Sequence, residues 1–308
     1  VSIKKFHDLP GAAAKRDAGW KPDSSVRFGH ILAERWDELS EPRLRALPGA
    51  RFRHSHAGAC ARAVGYAALD VEPSNPMDLA GTWVTQQGVL IHDAWQEELQ
   101  RRYGPASASV EVVVGSDDRA GHVDAVITSS DKVIAVEGKS VGGYAYQLAV
   151  GAKGRAEGPR FQAVCQAALN GYEVDADEVV IVYWARDAIS VQQARRKNIG
   201  PLGRFVAEWT LPRERYEPIA KLEIERVEQL LLQVDGGQYP ARHIPDPELP
   251  ANHLIVDPRQ GAWVELSDDG QAIDAGATWQ CAYCPWLDMC ALTEPGPIPI
   301  PQTLEEGT

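Results

Sequence analysis

Between Asp78 and Lys139 the spacing of apolar residues changes from a helical repeat to alternation, and no other feature constrains the fold as much. From Asp78 to Tyr103, the residues Leu79, Trp83, Leu90, Ile91, Ala94, Trp95 and Leu99 recur at helical spacing. Beyond them Ser109–Val114, His122–Thr128 and Val133–Lys139 follow a period of two, separated by turns at Ser116–Gly121 and Ser129–Lys132. Connections this short join antiparallel neighbours, so the three strands form a meander. A helix from Pro159 to about Gly171, a buried-type strand at Val179–Trp184, a strand at Phe205–Leu211 and a helix at Glu214–Val234 come next. This order predicts an α/β or α+β core with a mixed sheet.

The flanks are less regular. The polar stretch to about Ala50 holds one helical pattern, Ile31 to Leu39, and reads as an appendage. Ser55 is placed to cap a helix from His56 to Leu69. Gly142 to Gly158 reads as a flexible loop, and Ala262–Leu266 with Gln271–Ala275 flank a Ser-Asp-Asp-Gly hairpin signal. The expected division is residues 1–50, a core at 51–294, and a loose Pro-rich tail at 295–308. The chain has no internal repeat. With 44% hydrophobic and 24% charged residues over 308 positions, it is not a disordered chain. No apolar run approaches the roughly 18 residues of a membrane span. The absence of a secretory h-region predicts a cytoplasmic protein with reduced thiols. A net charge of −12 argues against a protein that coats duplex DNA non-specifically, although carboxylates that bind metal count as negative here.

Asp124 lies in the second strand, between Val123 and Ala125 and after Gly121-His122. Glu137 and Lys139 stand two apart in the third, so their side chains share a face, and Val133-Ile134-Ala135-Val136 before them is apolar. A charged pair closing a buried run is costly unless partnered. A divalent cation removes that cost. Asp124 and Glu137 supply the oxygen ligands that Mg²⁺ and Mn²⁺ prefer, leaving Lys139 beside an attacking water and a phosphate oxygen. The alternative is a strand-end salt bridge with solvated ends. In the long helix Gly88 stands one turn before His92 and leaves room beside the imidazole. His92 is then a metal ligand through a neutral nitrogen, or an ordinary surface or core histidine. Gln162 and Gln166 share one helix face, where an amide orients a water or a nucleotide.

Of the five cysteines, Cys281-x-x-Cys284-x5-Cys290 form a compact set flanked by Trp279, Tyr283, Pro285 and Trp286. Three clustered thiols need a fourth ligand. Cys165 sits among Ala163, Val164, Ala167 and Ala168, where a small thiol packs well. Cys60 follows the polar Arg53-His54-Ser55-His56 and is assigned as the fourth, which ties residues 279–291 to the start of the core. Spacing alone leaves a Cys₄ zinc site and a [4Fe–4S] cluster both open, with His54 and His56 as further zinc ligands.

The ordered set His92, Asp124, Glu137-Gly138-Lys139 and Gln166, on helix, strand, strand and helix, resembles the PD-(D/E)XK (restriction-endonuclease-like) nuclease superfamily in its RecB-like branch. Within that branch it is similar to the CRISPR-associated and phage-encoded iron–sulfur exonucleases, over about Arg53 to Cys290. The resemblance implies a mixed central sheet with flanking helices. It implies Mn²⁺ or Mg²⁺ on His92, Asp124, Glu137 and the Gly138 carbonyl, with Lys139 as the catalytic lysine. Gln166 becomes the glutamine of the last motif. A Tyr usually follows that Gln by four positions, and here Asn170 stands in its place with Tyr172 close by. The resemblance also implies a structural [4Fe–4S] cluster on Cys60, Cys281, Cys284 and Cys290.

The function expected from it is a metal-dependent DNA exonuclease acting on single-stranded ends or overhangs, in a bacterial or phage-infected cell. Two other classes stay open: a DNA-end-binding module of a recombination or spacer-integration complex, with an integrase-type protein partner, and a zinc-stabilised degenerate nuclease. For DNA contact, Lys153, Arg155 and Arg160 around the Gly-rich loop are better placed than Arg51, Arg53 or Arg195-Arg196-Lys197. Arg101-Arg102 complement a helix dipole. The chain has no Walker A motif, Rossmann glycine pattern or nucleophilic Ser or Cys triad.

Overall fold

The computed structural model describes residues 50–116, 118–154, 156, 158–244, 254–257, 262–266, 272–277 and 279–301. The helix expected at Ile31–Leu39, Arg155 and the last part of the Pro-rich tail lie outside these residues. The described chain begins with β1 (Phe52–Arg53), a 3₁₀ turn (His54–His56), α1 (Ala61–Ala68) and α2 (Leu79–Tyr103). Then come β2 (Ala108–Gly115), β3 (Arg119–Thr128), β4 (Val133–Val141), α3 (Gly143–Ala149), α4 (Phe161–Glu173), β5 (Glu178–Ala185), α5 (Val191–Arg196), β6 (Val206–Pro212) and α6 (Arg213–Asp235). The remainder carries β7 (Gln238–Tyr239), β8 (His243–Ile244), β9 (Leu254–Asp257), β10 (Ala262–Leu266), β11 (Ala272–Ala277), α7 (Trp279–Ala282), α8 (Leu287–Ala291) and β12 (Ile298–Pro299).

The central sheet is mixed, and the fold is α/β with flanking helices. β2, β3 and β4 form the expected antiparallel meander, β5 runs parallel to β4, β6 antiparallel to β5, and β1 parallel to β3. A parallel pair needs a crossover, and the segment holding α3 and α4 supplies it. Successive residues of β4 and β5 face opposite layers. Ala135, Ile181 and Tyr183 pack with Ala163 and Leu169 of α4 and with Tyr216 and Ala220 of α6. Val136, Val182 and Trp184 pack with Trp95 and Leu99 of α2. Strands covered on both faces read as continuous apolar runs, which is why Val133–Val136 and Val179–Trp184 look buried in sequence.

α2 starts where Asp78 Oδ1 accepts the Gly81 N–H at 2.8 Å and ends at Gly104, whose φ of 77° closes the helix. β3 begins at Arg119, inside the turn read at Ser116–Gly121, and three further differences from the sequence reading are larger. α1 begins after Cys60, not at Ser55, because Gly58 at φ 66° separates the 3₁₀ turn from the helix. The Gly142–Gly158 stretch holds α3, anchored by the buried Tyr146, whose hydroxyl donates to Gly203 O at 2.9 Å. The start of the Pro-rich tail is β12, paired antiparallel with β7. β10 and β11 form the expected hairpin, which β9 and β8 extend to a small four-stranded sheet. Among the described residues no helix is long and apolar enough to cross a membrane.

Candidate active site

β3 and β4 pair from Thr128↔Val133 only as far as Ala125↔Val136. One residue further the ladder stops, and Asp124 Oδ2 accepts the Gly138 N–H at 2.7 Å. Across β2 and β3 the pairs Val110↔Ala125 and Val112↔Val123 leave Glu111 opposite Asp124. Glu111 has φ 50°, a left-handed conformation seldom adopted by a non-glycine residue in mid-strand. The alternation inverts here. Val110 and Ala125 belong to the layer under α2, whereas Val112 and Val123 belong to the layer under α4. Residues two apart in a regular strand face the same way. A strand pair that turns over at one position opens the sheet there, and side chains from both layers reach the opening.

From α2, His92 Nδ1 stands 3.8 Å from Asp124 Oδ2. Gln96 Nε2 donates to Glu111 Oε1 at 2.7 Å and to the Asp124 carbonyl at 3.0 Å. From α4, Gln166 Oε1 accepts from Lys139 Nζ at 2.8 Å, and Asn170 Nδ2 donates to Glu137 Oε2 at 2.8 Å. Lys139 Nζ also lies 2.6 Å from Glu137 Oε1, an ion pair close in distance but poorly aligned as a hydrogen bond. The residues singled out in sequence, His92, Asp124, Glu137, Gly138, Lys139 and Gln166, therefore meet in one place. Gly138 is required by close approach: a Cβ there would lie 2.6 Å from Trp184 Cζ3 and 3.3 Å from His92 Cε1. Gly88 has a different use from the one expected. A Cβ there would stand 3.0 Å from Ser140 Oγ, so its absence brings α2 against β4 and does not make room beside the imidazole.

Burial pushes the Asp124 carboxyl up to about 6 and the Glu137 carboxyl, 1% exposed, up to about 7. The Lys139 charge opposes both shifts, and the Asp124 charge adds to that of Glu137. Burial, and then the Lys139 charge, lower the His92 pKa, so its imidazole is neutral at pH 7. Burial works to lower the Lys139 amine, but the Glu137 and Asp124 carboxylates outweigh it and hold its pKa above the ordinary value. One ammonium against two buried carboxylates leaves the site short of positive charge. Oxygen donors beside a neutral imidazole suit Mg²⁺ or Mn²⁺. The side chains are not drawn in to coordination distances: among the described residues no three His, Cys, Asp or Glu groups are gathered closely enough to hold an ion.

Sequence reasoning missed Glu111, Gln96 and the part played by Asn170. Glu111 is legible only once the β2–β3 register sets it against Asp124. Asn170 is fully buried and bonded to Glu137, while Tyr172 is 39% exposed and makes no part of the site. Beside Asp124 opens a cavity of about 290 Å³, lined by Arg53, Ser55, Glu111, His122 and Gln166 among others.

A second cavity, of about 300 Å³, is lined by Cys60, Cys281, Cys284 and Cys290, and Ser55 belongs to the walls of both. Burial pushes the Cys281 thiol up to about 12 and the Cys284 thiol up to about 11, with neighbouring thiols adding to each shift. Two buried guanidiniums, Arg62 and Arg242, share the lining. Arg62 donates to Thr293 Oγ1 at 3.0 Å, to Glu294 O at 3.3 Å and to the carbonyls of Pro240 and Gly296. Arg242 donates to Thr293 Oγ1 at 3.2 Å and to the carbonyls of Cys290 and Thr293. No carboxylate pairs with either among the described residues. Cys165 is apart from this cavity, buried in the main core.

No family model and no curated protein matches the chain. Among solved structures, SSO0001 is similar at 15% identity and a TM-score of 0.41, over 67% of this chain and 87% of that one. The alkaline exonuclease LHK-Exo from Laribacter hongkongensis is similar at 10% identity and a TM-score of 0.43, over 66% of this chain and 93% of that one. LHK-Exo in complex with dAMP gives 10% identity and a TM-score of 0.40, over 60% and 88%. Likenesses this remote assign no activity and no site residue to this chain.

The basic residues considered for DNA contact are spread over the surface. Lys153 Nζ lies 5.8 Å from the centre of the Tyr144 ring, and the Arg160 backbone N–H donates to Tyr183 Oη at 2.8 Å. Arg195 and Arg196 close α5, Arg101 pairs with Glu98, and Arg51 pairs with Asp235 at 2.6 Å.

Proposed function

We propose that the chain is a divalent-metal-dependent deoxyribonuclease, an exonuclease acting on single-stranded DNA ends, built on a RecB-like PD-(D/E)XK core. The observation that carries this reading is the meeting of Asp124, Glu137 and Lys139 with a neutral His92 and Gln166 at the crease between β3 and β4. The donor set fits Mn²⁺ or Mg²⁺: two buried carboxylates share a single ammonium, so a cation is favoured there. His92, Asp124, Glu137 and the Gly138 carbonyl would hold it. When bound, such an ion acidifies a water and offsets phosphate charge.

The remaining steps belong to the protein. Lys139, held between Glu137 and Gln166, sets its ammonium where a phosphate oxygen gains charge during in-line attack. Because Gln166 uses its carbonyl oxygen on Lys139, its amide N–H groups are left to donate to a water or a phosphate. Trp95 and Trp184, their ring centres 5.0 Å apart and their planes tilted by 57°, stand beside His92 and keep bulk water from that side. DNA as the substrate class rests on the resemblance of the ordered motif set.

The same proposal includes a [4Fe–4S] cluster on Cys60, Cys281, Cys284 and Cys290. Its support is the shared cavity with two buried guanidiniums that have no carboxylate partner among the described residues, which suits a metal–thiolate group of net negative charge. The test is cleavage of end-labelled single-stranded DNA by protein purified without air, with metal, iron and sulfide measured on the same sample. Mn²⁺-dependent release of nucleotides, abolished by Asp124→Ala, is the expected result. Undiminished cleavage in excess EDTA would overturn the metal mechanism.

A further inference from the structure

Asn170 occupies the centre of a buried chain of hydrogen bonds. Its Nδ2 donates to Glu137 Oε2 at 2.8 Å and to the His122 carbonyl at 3.0 Å. A carbonyl only accepts, so the amide nitrogen must face that side and the amide oxygen the other. The oxygen meets His54 Nδ1 at 2.8 Å. His54 must therefore donate from Nδ1. Burial lowers its pKa, so the ring is neutral and Nε2 is bare, and Nε2 is indeed buried with no hydrogen-bond partner among the described residues. Both side chains are shut off from solvent, His54 at 0% and Asn170 at 1% exposure. The ring is seated by Gly121, where a Cβ would stand 2.5 Å from His54 Cγ and Nδ1. A glycine just ahead of His122-Val123-Asp124 thus makes the seat for an imidazole two hydrogen bonds away from Glu137.

We propose that His54 and Asn170 are positioning residues for Glu137: the imidazole tautomer fixes the amide, and the amide fixes the rotation of the carboxylate. The inference rests on the reading of Glu137 as a metal-site carboxylate. Neither residue touches the reacting atoms. Turning the amide over would set its oxygen against Glu137 Oε2 and the His122 carbonyl, and would lose all three bonds at once. With Oε2 held by Asn170, the carboxylate keeps Oε1 turned to Lys139. The residue at the place of the expected Tyr therefore acts on the carboxylate from behind.

The experiment uses the whole chain and four variants. His54→Leu keeps bulk and removes the donor, while His54→Asn keeps an N–H near the Nδ1 position. Asn170→Ala removes the amide, and Glu137→Gln removes the carboxylate. Mn²⁺ affinity is measured by calorimetry, DNA affinity without metal by fluorescence anisotropy, and the His54 tautomer by ¹⁵N NMR of histidine-labelled protein. His54→Leu and Asn170→Ala should weaken Mn²⁺ binding about 10–100-fold, as loss of a group that orients a ligand does. DNA affinity should not change, and His54→Asn should recover most of the Mn²⁺ affinity. A purely structural role would lower the melting temperature of both variants and leave Mn²⁺ affinity at 25 °C unchanged, and that result overturns the proposal. So does an Nε2–H tautomer in the unaltered protein, a measurement that needs no variant to fold. If the unaltered protein neither binds Mn²⁺ nor cuts DNA, the nuclease reading fails instead. The relay is then decided by NMR alone: an Nδ1–H resonance that shifts in Glu137→Gln sustains it, and one that does not shift ends it.

Discussion

Raising the pH should loosen the metal-free protein, and most of the effect should come from two side chains. Asp124 moves from 3.8 to about 6 and Glu137 from 4.5 to about 7 on folding. In that window the folded chain holds protons that the unfolded chain has released, so stability falls as pH rises through it. At about 1.4 kcal/mol per pKa unit, each carboxyl costs roughly 3 kcal/mol by pH 8. With both groups titrating, the slope reaches about 2 kcal/mol per pH unit near pH 5. A melting temperature lower at pH 8 than at pH 4 by on the order of 10 °C follows. Thermal unfolding in EDTA, against the same scans for Glu137→Gln, isolates the contribution from other ionising groups. The variant mimics the protonated acid, so it should melt above the unaltered protein at pH 8 and fall less steeply with pH. Saturating Mn²⁺ should reverse the order, since the ion binds the ionised pair. If Glu137→Gln melts below the unaltered protein at pH 8 without metal, Glu137 is an ordinary stabilising ion-pair partner of Lys139 and the argument from charge shortage is wrong.

Gly138→Ala should cost about 1–3 kcal/mol, because the new methyl meets Trp184 and His92. Denaturant unfolding reads the loss, and unchanged stability would show that the Trp184 ring is free to move aside. Lys139→Ala should retain Mn²⁺, since an ammonium is no ligand, and should lose about 10²–10³ in single-turnover cleavage rate. Near-normal cleavage by this variant returns Glu137-Gly138-Lys139 to a strand-end salt bridge. Cys60→Ser, Cys281→Ser, Cys284→Ser and Cys290→Ser should each lose iron and sulfide while Cys165→Ser, in the core, keeps them. Iron retained by Cys60→Ser and lost by Cys165→Ser reverses the ligand assignment.

Periodicity made the framework legible. The helical repeat before Tyr103 and the alternation after it give α2 to within one residue and the meander to within three, because both faces of β4 and β5 are covered by helices whose own spacing is regular. Asp124, Glu137, Lys139 and Gln166 could be picked out because charged or amide groups interrupt apolar runs. The crease could not, since it depends on Glu111 adopting φ 50° and on a register that reverses which layer Val110 and Val112 enter. Alternation in sequence is blind to such a reversal. The start of α1 was misplaced for a related reason: Ser55 has the chemistry of a cap, but Gly58 turns the chain before the helix begins. Asn170 looked like a defect in a motif because its partners, Glu137, His122 and His54, lie on three other segments.

The buried Arg62 sets a clock on biosynthesis. Among the described residues its guanidinium donates to Pro240, Thr293, Glu294 and Gly296, so this anchor of α1, unlike its packing in the main core, closes only after those residues have been made. Cys60 and Cys290 are 230 residues apart in the chain. At about 5–20 residues per second, translation takes on the order of 10 to 50 s to span them. Once Lys139 has been made, the nascent chain carries Asp124, Glu137 and Lys139 before Arg62 can reach Thr293, Glu294 and Gly296. The order of synthesis thus makes this anchor later than every residue of the candidate site.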